Sequence, residues 1–472
     1  MKKTFEFCAS ALLSMFLTHW TALASGPIYP LKASANGRYL VDQNNVPFLM
    51  VGDAPQSLIG LLSTTQANQY FVDRASKGFN AAWINLLCAS YTYCSASGET
   101  YDGIAPFTAG SSPSNYDLST PNATYFARVD TIINLAAVQG IVVLLDPIET
   151  GSWLTTLQNN GTAKAFSYGV YLGSRYKAFP NIVWVHGNDF QSWSTASDDN
   201  LVKQVMAGIA SADSAHLQTI ELDYYASYSN QDSSVVSFLG INGAYTYYET
   251  YDEVLKAYGS SPTLPIMLLE ANYEFENNNS FFSGDTNAFI LREQEYWAML
   301  SGGFEQLYGN HYTVTSLWPT QGNLDTPGVT ELGYFRAFFI TYPWWLLVPD
   351  QSHSVVTAGF GSYNGANGNL PNATYCTTAA TPDGTLVVTY CPNSTTLTVN
   401  LARMTGSTIA KWFDPSSGNS LPIAGSPFAN TGSRQFTTPG TNSGGDKDWV
   451  LVLSASVVQT PAAPTSVTAT VH

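Results

Sequence analysis

Short, nearly uninterrupted apolar segments alternate with amphipathic segments along most of the chain. The apolar segments lie at 47–53, 80–87, 141–146, 181–186, 217–222, 238–242, 266–270 and 304–308. Segments with a helical period follow most of them, at 64–77, 125–139, 162–178, 198–213, 253–258, 289–300 and 332–340. Strands that are apolar on both faces belong to parallel sheets covered by helices. The alternation therefore predicts a parallel α/β fold.

Eight strand–helix units within roughly 300 residues fit a (β/α)8 TIM barrel. The rival is a doubly wound open sheet, which usually carries a glycine-rich phosphate-binding turn after its first strand. The turn in this chain is Gly52-Asp53-Ala54-Pro55, which lacks that pattern. We therefore predict an α/β chain with a (β/α)8 barrel over residues 25–349.

The amino-acid composition of the sequence changes after residue 349. Gly, Asn, Thr and Ser dominate, and short strand patterns recur at 386–390, 396–401, 410–413 and 449–453. Turn signals such as Asp383-Gly384 separate them. This pattern predicts a small all-β sandwich over 350–457. The remaining residues, 458–472, are rich in Pro, Ala, Thr and Val, which is typical of a linker or tail.

The N-terminus has the features of a secretory signal peptide. Two lysines precede an apolar run over 7–17, and Ala22-Leu23-Ala24 supplies a cleavage site. The run is too short to span a bilayer. We predict a signal peptide over 1–24 and a secreted protein, extracellular or periplasmic, that has no membrane anchor after cleavage.

Composition narrows the choice of partners. The net charge is −16, only 11% of residues are charged, and 13% are aromatic. Nucleic acid is excluded as a partner because phosphate binding needs clusters of Lys and Arg. Most aromatic residues are expected in the core, but aromatic faces and amide side chains also suit sugars. We expect a monomer that binds a polysaccharide or oligosaccharide.

The cysteines that follow the signal peptide form two local pairs, Cys88/Cys94 and Cys376/Cys391. Export permits disulfides, but spacing alone does not determine the connectivity. No Cys/His cluster has the spacing of zinc ligands. We predict no metal and no cofactor.

Polar residues stand where the predicted strands end, which is where a barrel of this kind carries its active site. The chain has no His-x-His, Glu-x-x-His or Gly-x-Ser-x-Gly motif. Several carboxylates without a metal or an activated serine indicate cleavage of glycosidic bonds, because that reaction needs one acid and one carboxylate. The strand-end residues are Asp53, Asn85, Asp146, His186, Asn188, Asp189, Asp223, Asn242, Tyr245, Glu270 and His311.

Asp189 and Glu270 are the predicted catalytic pair. They end the fourth and seventh strands, which face each other across the barrel mouth. A negative Glu270 would raise the pKa of Asp189 and keep it protonated. An alternative for any one of these strand-end residues, Asp189 included, is a helix cap or turn residue, although Glu270 is a poor cap. His186 and His311 have a second alternative as buried structural groups. The predicted sugar-binding residues are Asp53, Asn85, Asp146, His186, Asn188, Tyr245, His311 and Trp318.

Several segments together resemble the apiosidase-like glycoside hydrolase family, over about 31–347. They are Pro47-Phe-Leu-Met-Val-Gly-Asp53, Trp184-Val-His-Gly-Asn-Asp189, Leu268-Leu-Glu270 and Tyr308-Gly-Asn-His311. The resemblance implies that Asp189 is the acid/base and Glu270 the nucleophile of a retaining mechanism. The family usually has Gly-Asp-Thr-Ala-Trp after the first strand, where this chain differs, so the resemblance does not identify the sugar.

The C-terminal segments Lys411-Trp-Phe-Asp-Pro415 and Asp446-Lys-Asp-Trp-Val-Leu-Val452 are similar to the β domain called "putative collagen-binding" that often follows such barrels. Three functions are thus in competition. The first is a secreted retaining glycoside hydrolase acting on plant or microbial polysaccharide. The second is a non-catalytic glycan- or matrix-binding protein. The third is a polysaccharide lyase or a peptidase, although a peptidase would need a nucleophile or metal that the sequence does not offer.

Overall fold

The computed structural model describes residues 26–277, 283–365 and 370–456. The predicted signal peptide and the predicted tail lie outside the described residues. Within those ranges, no helix is both long and apolar enough to cross a lipid bilayer.

Eight parallel strands in the described part of the chain form the ring predicted from the sequence, and the first seven are buried along their whole length. We number these barrel strands first to eighth in chain order. They are Met50–Asp53, Ala81–Asn85, Val142–Asp146, Ile182–His186, Gln218–Ile220, Asn242–Thr246, Ile266–Glu270 and Glu305–Tyr308.

Parallel pairing runs from the eighth strand through the first to the fifth, and separately from the sixth to the seventh. Single bridges close the two remaining gaps. Gln218 pairs with Leu239 ahead of the sixth strand, and Ile266 of the seventh pairs with Gly303 ahead of the eighth. The closed ring brings the carboxyl ends of all eight strands to one mouth. The predicted (β/α)8 barrel is confirmed.

Helices cover the outside of the ring. The first of the long helices begins with a capping box in which Ser63 accepts a hydrogen bond from the Gln66 backbone N–H. The helices are Leu58–Leu61, Thr64–Ser76, Ala123–Val138, Thr150–Tyr176, Ala196–Ala212, Thr250–Gly259, Ala288–Leu300, His311–Val314, Trp318–Gln321 and Pro327–Phe339.

Two predicted elements differ markedly in their bounds from the observed ones. The helix predicted over 162–178 begins at Thr150, because the Glu149 carboxylate caps it, and it is interrupted at Gly161, where φ is 73°. The strand predicted over 238–242 lies instead at Asn242–Thr246. This segment contains polar residues, but it forms a strand because it pairs in parallel with Ile266–Glu270. A short antiparallel strand, Ala226–Tyr228, adds to its other edge.

The C-terminal region consists of two antiparallel sheets, as predicted. The larger has the order Val348–Pro349, Thr377–Ala380, Leu386–Cys391, Trp449–Ala455, Thr408–Phe413 and Ser420–Pro422. The smaller has the order Val356–Ala358, Thr396–Asn400 and Ser433–Thr437. Apolar side chains from both sheets form one core. Disulfides join Cys88 to Cys94 in the barrel and Cys376 to Cys391 in this β domain.

The outer face of the larger sheet packs on the barrel. Tyr390 stacks on Tyr296 of the helix Ala288–Leu300, with ring centroids 4.9 Å apart. Arg292 of the same helix is buried and donates to both carboxylate oxygens of Asp448, at 2.8 and 2.9 Å, and to Asp446 at 2.7 Å. The β domain is therefore held against the helix that follows the seventh barrel strand.

Candidate active site

The fourth strand ends in a backbone turn that presents Asp189. Gly187, Asn188 and Asp189 all have positive φ, at 97°, 55° and 61°. A side chain at Gly187 would place its Cβ only 2.0 Å from the Glu221 carbonyl oxygen, so glycine is required there. Asn and Asp tolerate the left-handed region better than most residues, but two in succession still store strain. Such strain is a common feature of functional sites.

The predicted catalytic carboxyls meet at one phenol. The Tyr245 hydroxyl lies 2.7 Å from Asp189 Oδ1 and 3.2 Å from Glu270 Oε1. These two distances mean that the two carboxyl oxygens are no more than about 6 Å apart. Carboxyl groups of retaining glycosidases stand about 5–5.5 Å apart, and those of inverting enzymes about 6.5–9.5 Å. The limit of about 6 Å between these two oxygens lies below the inverting range.

Three tyrosines surround Glu270. Tyr247 donates to its Oε1 at 2.9 Å, Tyr273 donates to its Oε2 at 2.7 Å, and Tyr245 is the third. The sequence analysis missed Tyr247 and Tyr273. Tyr247 has a local signal, because it stands two residues from Tyr245 and side chains at i and i+2 share one face of an extended segment. Tyr273 has none, since its contact with Glu270 depends on the turn that follows the strand.

Burial and mutual repulsion govern the protonation of this pair. Burial, reinforced by the nearby Asp189, raises the pKa of Glu270 to about 8. Burial, with a further contribution from Asp223, raises the pKa of Asp189. The raised pKa of Asp189 agrees with expectation, but its main cause is burial rather than Glu270. Two such close carboxyls share one proton near neutral pH.

Asn188 and Asn85 form an amide cluster beside the pair. The Asn188 Oδ1 accepts hydrogen bonds from Asn85 Nδ2 at 3.0 Å and from the Tyr91 hydroxyl at 2.7 Å. With its oxygen engaged, Asn188 is oriented with its amide N–H groups available as donors. Tyr91, which sequence reasoning missed, comes from the long loop after the second strand.

Further acids lie deeper in the mouth. Asp146 is fully buried, and its pKa is raised well above the usual range by burial and by the neighbouring Glu149. Glu149 has a pKa raised to about 8 by burial. Glu221 accepts the Asp189 backbone N–H at 3.0 Å. Sequence reasoning missed Glu221 because the fifth strand ends at Ile220, earlier than predicted, so that Glu221 rather than Asp223 stands at its end.

Asp53 and His186, two of the predicted sugar-binding residues, lie in the barrel interior and have protein partners. Asp53 is fully buried. Its Oδ2 accepts hydrogen bonds from Arg74 at 2.7 Å and from Tyr70 at 2.6 Å, so this oxygen has partners inside the protein. His186 is buried and bonded to Gln218 at 2.9 Å, and burial lowers its pKa to about 4. Both residues stabilise the barrel interior.

His311 and Trp318 lie in different surroundings. His311 is partly exposed, and its Nδ1 is 3.0 Å from Glu276 Oε1. Trp318 is 9% exposed and belongs to the core cluster on that side of the barrel, so only an edge of its ring reaches the surface. The sugar contacts of all eight predicted residues stay predictions: Asp53, Asn85, Asp146, His186, Asn188, Tyr245, His311 and Trp318.

Comparison with known proteins adds an independent finding. A family model described as "Apiosidase-like, catalytic domain" matches residues 34–346, and one described as "Putative collagen-binding domain of a collagenase" matches 366–454. Comparison with curated proteins gives no match.

Solved structures agree with this fold. One glycoside hydrolase structure superposes with a TM-score of 0.76 and 20% identity, covering 91% of this chain and 97% of its own. A glycoside hydrolase family 5 structure from Bacteroides vulgatus gives a TM-score of 0.76 and 20% identity, covering 92% and 95%. At this identity the likeness concerns the fold.

Proposed function

Because the chain belongs to the apiosidase-like family of catalytic domains, and is thus a glycoside hydrolase, we propose that it is a secreted, retaining enzyme that cleaves plant or microbial polysaccharide. The observation that carries the retaining mechanism is the shared hydrogen-bonding of Asp189 and Glu270 to Tyr245, which limits their separation to about 6 Å. That limit lies below the separation of about 6.5–9.5 Å at which inverting enzymes hold a water, and it supports retention. The composition and N-terminal pattern support secretion.

Glu270 is the nucleophile in this proposal. Two phenols, Tyr247 and Tyr273, donate to Glu270, whereas Asp189 has only the single O–H of Tyr245, which it shares with Glu270, so hydrogen bonding favours the ionised form of Glu270 more. In the reactive state, the proton that the pair shares therefore resides mainly on Asp189. Asp189 is also the more exposed of the two, so its proton can reach a leaving group.

The reaction has two steps. First, a Glu270 oxygen bonds to the anomeric carbon while the glycosidic C–O bond breaks and the Asp189 proton moves to the leaving oxygen. Then a water attacks the same carbon, gives its proton to Asp189 and releases Glu270. The Tyr245 hydroxyl contacts both groups, so it can donate its hydrogen bond to whichever of the two is negatively charged. The Asn188 amide is placed to donate to a sugar hydroxyl in both steps.

Isosteric replacement tests the pair. Glu270→Gln and Asp189→Asn should each lower turnover by at least about 10³-fold, because the nucleophile or the proton donor is lost. The first screen is reducing-end release from a panel of plant cell-wall and bacterial polysaccharides. NMR of the first-formed anomer on the best substrate should show retained configuration. Glu305→Gln is the matched control, since Glu305 is a fully buried glutamate at the start of the eighth strand, away from the mouth. Inverted product or near-normal turnover of Glu270→Gln would contradict the proposal.

A further inference from the structure

A hollow opens on the face of the barrel opposite the catalytic pair. Its wall includes Phe48, Phe79 and Gly140, which stand shortly before the first, second and third barrel strands. The catalytic carboxyls stand at the other ends of the strands. The volume of this basal hollow is about 580 Å³, and small-molecule sites span about 300–1,000 Å³. The basal hollow is therefore large enough for a ligand that does not compete with the substrate.

Apolar side chains form both the floor and the rim of the basal hollow. The floor consists of the buried aromatic rings of Phe48, Phe79 and Trp344. At the rim, Val46 and Ile340 are 57% and 52% exposed. A concave aromatic floor with an exposed apolar rim is typical of a surface that a ligand covers. The ligand that fits this wall has an apolar, ring-containing body.

The basal hollow also contains a basic side chain, Arg336, that has no partner in the described part of the chain. Arg336 comes from the last turn of the helix Pro327–Phe339 and lies against Gly78, where an added Cβ would be 3.1 Å from the Arg336 Cδ. Its Nε is buried without a hydrogen-bond acceptor. Burial lowers the pKa of Arg336. Burial acts on Arg74 and Arg292 in the same direction, but the carboxylates beside them outweigh it and raise their pKa.

Polar side chains beside Arg336 in the wall are already engaged with the backbone. The Asp42 carboxylate accepts three backbone N–H groups, at 2.8, 2.9 and 3.2 Å. The Asn80 amide donates to the Leu49 carbonyl at 2.9 Å and accepts the Val51 N–H at 2.7 Å. The chain has 34 acidic and 18 basic residues, so a shortage of acids does not explain the unpaired arginine. Because a buried charge without a partner is unfavourable, the guanidinium needs an acceptor from outside the chain.

We propose that the basal hollow binds a small aromatic acid, whose ring lies against Phe48, Phe79 and Trp344 and whose carboxylate accepts hydrogen bonds from Arg336. A guanidinium can donate two parallel N–H groups to one carboxylate. The aromatic floor adds ring–ring contacts to the burial of the ligand. An uncharged ring would leave the guanidinium unpaired, and a small inorganic anion would leave the rim uncovered. The inference goes beyond the proposed function and does not depend on it, because the two sites lie at opposite ends of the barrel.

Isothermal titration calorimetry with naphthoate and naphthamide tests this proposal. The two probes share one ring system and differ in a carboxylate against a neutral amide. We expect naphthoate to bind about 10- to 100-fold more tightly than naphthamide, which is the factor that a hydrogen bond to a charged group supplies. Absence of naphthoate binding, or equal affinity for the two probes, overturns the proposal.

Replacement of Arg336 by methionine locates the binding. Arg336→Met keeps a long apolar stem and removes the charge, so it should bind naphthoate no more tightly than the wild type binds naphthamide. Arg434→Met is the matched control, because Arg434 is exposed in the β domain, 3.6 Å from the centre of the Phe428 ring. The control should bind naphthoate as the wild type does. Unchanged naphthoate affinity in Arg336→Met overturns the assignment.

Thermal unfolding separates a ligand-binding arginine from a structural one. Arg336→Met breaks no ion pair, so without ligand it should melt no lower than the wild type. Naphthoate should raise the midpoint of the wild type but not that of the variant. A variant that melts well below the wild type and still binds naphthoate would assign Arg336 to packing and refute the proposal.

A second variant tests the site without removing Arg336. Ile340 lies one helical turn beyond Arg336 and is exposed, so Ile340→Glu should fold normally and place a carboxylate beside the guanidinium. This carboxylate competes with an acidic ligand and repels it. We expect naphthoate affinity to fall about 10-fold or more while naphthamide affinity stays within about 3-fold of wild type. Unchanged naphthoate affinity in Ile340→Glu would contradict binding at Arg336.

Discussion

Replacing Glu221 by glutamine and by alanine tests how the fifth strand supports the catalytic turn. Glu221 is fully buried, and its Oε2 accepts the Asp189 backbone N–H at 3.0 Å. That N–H belongs to the second of two consecutive non-glycine residues in the left-handed region. The hydrogen bond therefore offsets part of the strain that presents Asp189 to the substrate.

The charge of Glu221 decides what each variant does. Burial, together with the negative Glu270 and Asp189, raises the pKa of Glu221 well above its usual range. The direction of this shift favours the neutral acid, of which glutamine is the isostere. Glu221→Gln keeps the acceptor oxygen, so its free energy of unfolding should stay within about 1 kcal/mol of wild type.

Glu221→Ala should behave differently. It leaves the Asp189 N–H without its acceptor, which costs about 1–3 kcal/mol, and it adds a cavity. If most of this loss falls on the positioning of Asp189, kcat/KM drops about 10- to 100-fold. Urea unfolding measures the stability, and steady-state kinetics on the best polysaccharide measure kcat and KM separately.

The pH–rate profile of Glu221→Gln provides the refuting result. If Glu221 is neutral, removing its carboxyl leaves the charge near the pair unchanged, and the profile superimposes on that of wild type. If Glu221 is charged, its loss removes a repulsive charge, and the alkaline limb moves to lower pH by about a unit. Such a shift would contradict the inference that Glu221 is neutral. Glu305→Gln, a buried glutamate outside the site, controls for the substitution itself.

Two further predictions concern stability. Burial raises the pKa of Glu149 and of Glu270 from 4.5 to about 8. A carboxyl group whose pKa is raised by folding contributes fully to stability below pH 4.5, and that contribution is lost as the pH rises through 8. The thermal midpoint, followed by differential scanning fluorimetry, should therefore fall between pH 5 and pH 8.5, and a midpoint that rises with pH would contradict this. Asp448→Ala should lower the free energy of unfolding by about 3–5 kcal/mol, because it strips the buried Arg292 of a bidentate partner. Urea unfolding measures this loss, and a change below about 1 kcal/mol would show that the junction between barrel and β domain depends on other contacts.

The fold was largely accessible from the sequence because its signals are local. A strand buried on both faces reads as an apolar run, and a surface helix reads as a 3.6-residue period, whatever lies far away in the chain. The same logic placed Asp189 and Glu270 at strand ends. It failed for Asn242–Thr246, whose polar appearance hides a strand that is recognisable only by its pairing with the seventh strand.

The composition of the site was decided by tertiary structure. Nothing near Asp53 in the sequence shows that Arg74 neutralises it, 21 positions away. Likewise, Tyr245 contacts Asp189 across 56 positions of sequence.

The sequence by itself determined the alternation of strands and helices and the net negative charge, since these depend on residue identity and short-range period. Only the closed ring decided which polar groups meet, which are used up in internal ion pairs and which pKa values rise. Those properties depend on distance and burial, and both arise when strands far apart in the chain are brought to one mouth.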